Sequence, residues 1–314
     1  SCMISMRMAI IVILQVIHIK KMRRFIQLLL VFIAVSCSST KVLQPSQHNA
    51  QKAIEAKEYT KALGILESLI NSYEAEGKAD TTIVYELAGK AALGLADTTK
   101  AERYFKLAVY HQTASAKVYD FLAKYYHQTG NLSKEVMALE GLEQQHPATT
   151  EARKALPQLF ERYVETAQWD EAAATWHKIE TDEKTGLLSQ WMTVALQRKD
   201  TTAADETATA ILSGYPDHYE ARMWQAKRYY EKGETRYQQE MAAYEKNKTN
   251  AQYAKLLKGL DASTADFKEA LKRFESLFLA SPDPRTALYI ANIYARFGDE
   301  KKATKYRKLS SVNP

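Results

Sequence analysis

Cysteine is nearly absent from this chain: of 314 residues, only Cys2 and Cys37 carry a thiol. Everything beyond Cys37 therefore folds without a disulfide, and no cysteine nucleophile or cysteine-based metal site exists there. Glycine and proline are sparse as well, at 11 and 7 residues, while alanine, leucine, lysine, glutamate and tyrosine are plentiful, a balance that suits helices rather than a sheet. The histidines beyond Cys37 are His48, His111, His127, His146, His177 and His218, and none stands in a metal-binding spacing such as H-E-x-x-H. A glycine-rich phosphate loop, a serine elbow and a cysteine–histidine pair are likewise missing. The sequence offers no carrier for catalysis and no place for a metal or cofactor, so it reads as a non-enzyme.

No acidic residue occurs in positions 1–36, which hold Arg7, Lys20, Lys21, Arg23 and Arg24. Without those five cations the formal charge of +6 falls to about +1. What remains has no arginine-rich stripe with interleaved aromatics, so nucleic acid is disfavoured as a partner. The apolar run from Phe25 to Val35, broken only by Gln27, is too short to span a bilayer, which takes about 20 residues. Behind its basic start and ahead of Ala34, Val35 and Ser36, it has the plan of a signal peptide. The cysteine that follows resembles a bacterial lipobox, which implies cleavage before Cys37, diacylation of its thiol, and attachment to a membrane. A plain secretory peptide with an incidental cysteine is the competing reading. A further apolar run, Met8 to Ile19, either pairs with the first or belongs to an over-extended start ahead of Met22. The expected organisation is a leader over 1–36, a lipid anchor and tether over 37–45, and one helical domain over 46–311.

Three segments of that domain share the spacing A-x-x-Y-x-x-x-G: Ala123, Tyr126 and Gly130; Ala226, Tyr229 and Gly233; Ala291, Tyr294 and Gly298. Alanine and tyrosine three apart lie on one helical face, and the glycine stands where a left-handed residue closes a helix. Five positions after the glycine or its equivalent comes a small residue, at Ala62, Ala101, Ala172, Ala204, Ala270 and Ala303, with Glu135 and Gln238 breaking the column. These positions recur at a period near 34 residues, the period of the tetratricopeptide repeat. Residues from about Ser46 to Ser311 resemble that family, most fully in the copy from Ala116 to Thr149, where Tyr119, Leu122, Ala123, Tyr126, Gly130, Leu132, Leu139, Leu142 and Pro147 match its pattern. The resemblance implies an all-α, right-handed α-solenoid of seven to eight hairpins that binds protein or peptide. Phe160 and Met192 are large where the family has a small residue, and Asp261 to Phe267 fits only an altered hairpin.

In proteins of that family the first helix of each hairpin lines a groove through the second, fifth, ninth, twelfth and thirteenth positions. Carried over, this points to Lys90, Asp120, Lys124, His127, Lys227, Tyr230 and Glu231 as groove residues, with Gln51, Glu161, Thr193 and Asn292 completing the ninth-position column. Trp169 and Trp176 fall on packing positions, whereas Trp191 and Trp224 are open to either burial or exposure. Tyr110-His111-Gln112-Thr113 recurs as Tyr126-His127-Gln128-Thr129 near helix ends, where histidine suits the terminal carbonyls. Asp-Thr-Thr occurs at Asp80, Asp97 and Asp200, each time as a candidate helix cap; it also resembles a short O-glycan acceptor motif of Bacteroidota. The function these features favour is a lipid-anchored scaffold for an envelope protein or peptide. The alternative is a glycan- or peptide-binding lipoprotein. With Ser38 after the cysteine and no acidic cluster in Ser38 to Gln47, the resemblance implies the periplasmic face of the outer membrane.

Overall fold

The computed structural model describes residues 38–76 and 83–311, with backbone alone over 38–45. The leader, Cys37 and the triplet at Asp80 lie outside the described residues. Every regular element among the described residues is helical, as the composition and spacing predict. The chain divides into two compact units, one ending at Ala155 and one starting at Leu156.

The first unit holds three hairpins: α1 (Ser38–Glu55) with α2 (Tyr59–Ala75), α3 (Val84–Gly94) with α4 (Thr98–Tyr110), and α5 (Ala116–Gln128) with α6 (Leu132–Gln145). Each helix packs on the next, and α1 also packs on α3. Where a tether is expected over Ser38–Pro45, α1 has already begun; that stretch has no glycine and a single proline to interrupt a helix. α7 (Thr150–Glu165) crosses the boundary between the units. The second unit continues with α8 (Trp169–Trp176), a short α9 (Thr181–Lys184) and a 3-10 turn (Thr185–Leu187), then α10 (Leu188–Gln197) with α11 (Thr201–Gly214), α12 (Tyr219–Lys246) with α13 (Asn250–Ala280), and α14 (Pro284–Arg296) with α15 (Glu300–Ser310).

One turn geometry joins six of the seven pairs. Lys57, Ala96, Gly130, Ala167, Lys199 and Gly298 all have φ between 56° and 77°, and each stands five residues before the small position of its repeat. The left-handed residue donates its N–H three residues back, as Ala96 does to Leu93 O at 2.9 Å, and the next residue donates five back, as Asp97 does to Ala92 O at 3.0 Å. That pair of bonds is a Schellman closure. The residue after it starts the second helix: the side chains of Asp97, Asn131, Asp200 and Asp299 accept from Lys100, Lys134, Ala203 and Lys302 N–H at 2.9 to 3.2 Å. Asp97 and Asp200 thereby settle two of the three Asp-Thr-Thr triplets as caps.

The small residues do what their spacing predicts. Ala88, Ala123, Ala226 and Ala291 on the first helices and Ala62, Ala101, Ala172, Ala204, Ala270 and Ala303 on the second are all buried, so paired backbones approach closely. Glu135 takes that buried place in the third pair, and its carboxylate meets His127 Nδ1 at 3.2 Å. Phe160 and Met192 are buried too; the Phe160 ring packs on Trp176, 5.4 Å between centroids, at the end of the eight-residue α8. That short second helix leaves the room that Phe160 fills, whereas Met192 clusters with Ala204, Ala208 and Ile211 of the 14-residue α11.

The sixth pair departs from expectation. Gly233 does not close a helix, and α12 runs on to Lys246. Gly233 instead permits contact: Ser263 Oγ donates to its carbonyl at 2.9 Å in a buried bond, and a Cβ there would meet the Phe267 ring at 3.1 Å. Gln238 is consequently an exposed residue in mid-helix. Two sequence periods are spent on one long hairpin, which brings the described hairpins to seven.

Two outcomes are expected from urea denaturation. Ala123→Leu or Ala226→Leu forces paired backbones apart and lowers stability by about 1 to 3 kcal/mol. Ala96→Gly or Ala167→Gly, at exposed left-handed positions, relieves about 1 to 2 kcal/mol of backbone strain against the entropy lost by glycine, for a net gain of about 0.5 to 1 kcal/mol. Unchanged midpoints in either pair would contradict the account of these positions.

Candidate functional site

In the second unit the first helices α10, α12 and α14 border a cavity of about 410 Å³. The starts of two of these helices bring Glu220 and Arg285 to its lining. His218 caps α12, its Nδ1 accepting from Ala221 N–H at 3.3 Å, and Asp283 caps α14, accepting from Arg285 N–H at 2.6 Å. Pro284 supplies the first residue of α14 with a preset φ. Tyr219 at the head of α12 and Thr286 at the head of α14 share a hydrogen bond of 2.8 Å.

The wall of the cavity is apolar: Leu196 from α10, Met223 and Trp224 from α12, Leu288 and Tyr289 from α14. Trp224 is held in orientation because its Nε1 donates to Asp205 Oδ1 at 2.8 Å. Tyr289 stacks on Phe274 at 4.7 Å and meets the edge of Tyr230 at 5.1 Å. Leu288 stays 48% exposed, an aliphatic side chain left against the cavity.

Charge is unevenly satisfied around that wall. Arg285 reaches Glu220 at 3.1 Å and Asp283 at 2.9 Å; hydrogen bonding from Arg285, foremost, holds the Asp283 carboxyl below the ordinary carboxylate range. Lys227 has no acidic partner among the described residues, and its Nζ lies 5.9 Å from the Trp224 ring centroid. The arrangement can seat an apolar side chain beside a free ammonium. It contains no nucleophile paired with a base, and among the described residues no group of three or more His, Cys, Asp or Glu is placed to hold a metal.

The candidate residues read from sequence separate into three kinds. Lys227 lines the cavity, and Tyr230 supports its Tyr289 wall. Glu231 lies one turn beyond Lys227 on α12, beside a polar cleft of about 810 Å³ that Arg228, Lys232 and Arg236 also line. In the first unit the charged candidates are spent on their own helices: Lys90 pairs with Glu86 at 2.6 Å and Lys124 with Asp120 at 2.7 Å, one turn apart in each case. His127 joins Glu135 in the α5–α6 pairing.

The sequence reading, full only in the ninth column, missed Glu220, Met223, Arg285 and Leu288. All four fall in the second- and fifth-position columns, counted from Lys227 and Asn292, so the signal was present in the same rule. The histidine echo is not repeated in three dimensions. The left-handed residue is Gln112 directly after His111 but Gly130 three residues after His127; His111 instead stacks on Tyr85 at 4.9 Å. Trp176 and Trp191 stack on each other, 4.8 Å apart and nearly parallel, and Trp224 is buried.

No protein-family model matches the sequence, and no curated protein matches it. Solved structures are similar at low identity. They include the C-terminal part of a TPR repeat-containing protein from Cytophaga hutchinsonii, at 16% identity over 84% of this chain and 93% of that one, with a TM-score of 0.37. A tetratricopeptide repeat protein from Parabacteroides merdae is similar at 12% identity over 87% and 94%, TM-score 0.35. YrrB, a TPR protein with an unusual peptide-binding site, is similar at 15% identity over 66% and 90%, TM-score 0.38.

Glu86 yields a pH prediction. Burial alone would raise its carboxyl, but hydrogen bonds from Lys90 and from the Ser115 N–H and hydroxyl, both at 2.9 Å, outweigh it and the group titrates below its ordinary 4.5. A depressed folded value means the stabilisation is present above the unfolded value and is lost as pH falls through the folded one. Glu86→Gln should therefore flatten the fall in urea midpoint below roughly pH 5, where the unfolded carboxyl begins to bind protons. A slope equal to the parent's would refute the assignment.

Proposed function

We propose that this chain is a non-catalytic scaffold that seats a protein or peptide partner in the α10–α12–α14 cavity, held by lipid on Cys37 at the periplasmic face of a bacterial outer membrane. The observation that carries the binding reading is the pairing of an apolar wall, exposed at Leu288, with the ammonium of Lys227, which has no acidic partner among the described residues. A buried, satisfied surface would present neither. The tryptophans favour protein over sugar, because Trp176 and Trp191 spend a face on each other and Trp224 is nearly enclosed. The anchor reading rests on the leader, the position of Cys37 and the lack of any later thiol.

A photo-crosslinking residue in place of Leu288 should give a discrete adduct in intact cells, reduced at least tenfold by Lys227→Glu, a loss of about 1.4 kcal/mol. The same residue at Leu279, 84% exposed on α13, should give none. Equal adducts at both positions, or none at Leu288, would refute the groove. For the anchor, a fatty-acid probe should label the parent and leave Cys37→Ala unlabelled; equal labelling would refute it.

A further inference from the structure

The sixth hairpin is longer than its function in the core requires. Helices α12 and α13 have 28 and 31 residues, whereas α14 and α15 beside them have 13 and 11. At a rise of 1.5 Å per residue, α12 ends about 20 Å beyond Gly233. The base of this extension is braced. Asp266 sits between Lys232 at 3.0 Å and Arg236 at 3.1 Å, and Arg296 of α14 reaches Glu234 and lies over the Tyr237 ring at 4.5 Å. Past Glu234 and short of Ser263, only Leu256 and Gly259 are buried.

The surface of the far end has a composition of its own. From residue 246 to 260 there are four lysines, Lys246, Lys248, Lys255 and Lys258, and no acidic residue. Lys248 meets Glu245 at 2.7 Å; the other three are exposed with no acidic partner among the described residues. Between them Tyr253 and Leu257, one turn apart on α13, are 48% and 47% exposed. We propose that this tip docks on an anionic lipid surface, with the lysines facing headgroup phosphates and Tyr253 and Leu257 entering the headgroup layer.

Two features select lipid over an acidic protein. The cations are all lysine, compact hydrated charges on flexible stems that suit a diffuse field, whereas geometry-bound recognition of carboxylates favours arginine. In this unit the arginines Arg198, Arg228, Arg236, Arg285 and Arg296 are each already committed to a carboxylate. The exposed tyrosine and leucine need no pocket in a headgroup layer, while a protein partner would have to supply one. No helix among the described residues is long and apolar enough to cross a membrane, so the contact is peripheral. It requires neither acylation of Cys37 nor an occupant in the α10–α12–α14 cavity.

Flotation of the full chain with phosphatidylcholine vesicles, with and without one-third phosphatidylglycerol, tests this. The leader carries five cations of its own and adds the same anionic preference to the parent and to every variant, so the readout is the change in that preference from parent to variant. The chain should prefer the anionic vesicles, and high salt should abolish the preference. Replacing Lys246, Lys255 and Lys258 by Gln should reduce that preference about a hundredfold, or about fivefold per lysine. The same change at Lys301, Lys305 and Lys308 on α15 alters net charge equally and should leave it intact. No preference for anionic vesicles, or an equal loss in the α15 variant, would overturn the proposal. So would capture by polyglutamate without vesicle binding, which would assign the tip to an acidic protein.

Discussion

Close approach of two helix backbones is the contact on which the rest of this molecule depends. Alanine meets the facing helix in most of the pairs, and the neighbouring aromatic or leucine fills the space beside it. Such a contact is possible only if the connection between the helices brings them to the right separation and phase. Six connections achieve this with one left-handed residue, and in four of them the next residue caps the second helix with its side chain. The turn therefore satisfies last carbonyls of one helix and, in those four, a first amide of the next, with almost no intervening chain. Only two of the six left-handed residues are glycine. The packing that follows is strong enough to hold lysine and alanine in a conformation they would not choose alone.

The same contact explains where the sequence was legible. A small residue and its turn are separated by five positions whatever lies around them, so the hairpins declared themselves in spacing. Legibility failed where a residue type had two uses. Gly233 could end a helix or admit a neighbour, and only the partner residues Ser263 and Phe267, thirty and more positions away, decide between them. Phe160 broke the small-residue column because the second helix beside it is short, a fact that no local pattern at that residue records.

The candidate site was legible in its framework and less so in its content. Charge drew attention to Lys90, Asp120 and Lys124, which turn out to neutralise neighbours one turn away. A charged residue on a helix usually finds such a partner. Lys227 differs because the residues one turn on either side of it, Met223 and Glu231, leave it alone: the first is apolar, and the second is engaged by Arg228 at 3.5 Å. The apolar members Leu288 and Met223 carried no charge to mark them. Their positions within the repeat marked them, and position proved a better guide than residue type.

The extended hairpin also changes how displacement would travel through the second unit. Two long helices fastened to each other by Gly233, Ser263 and Phe267 move as one rod, and Arg296 fastens the base of that rod to α14. A push on the turn near Asn247 thus acts through a lever about 20 Å long on a fulcrum beside Phe267. The opposite arm of that lever, of similar length, runs back to the start of α12, where Glu220, Met223 and Trp224 stand in the wall of the cavity.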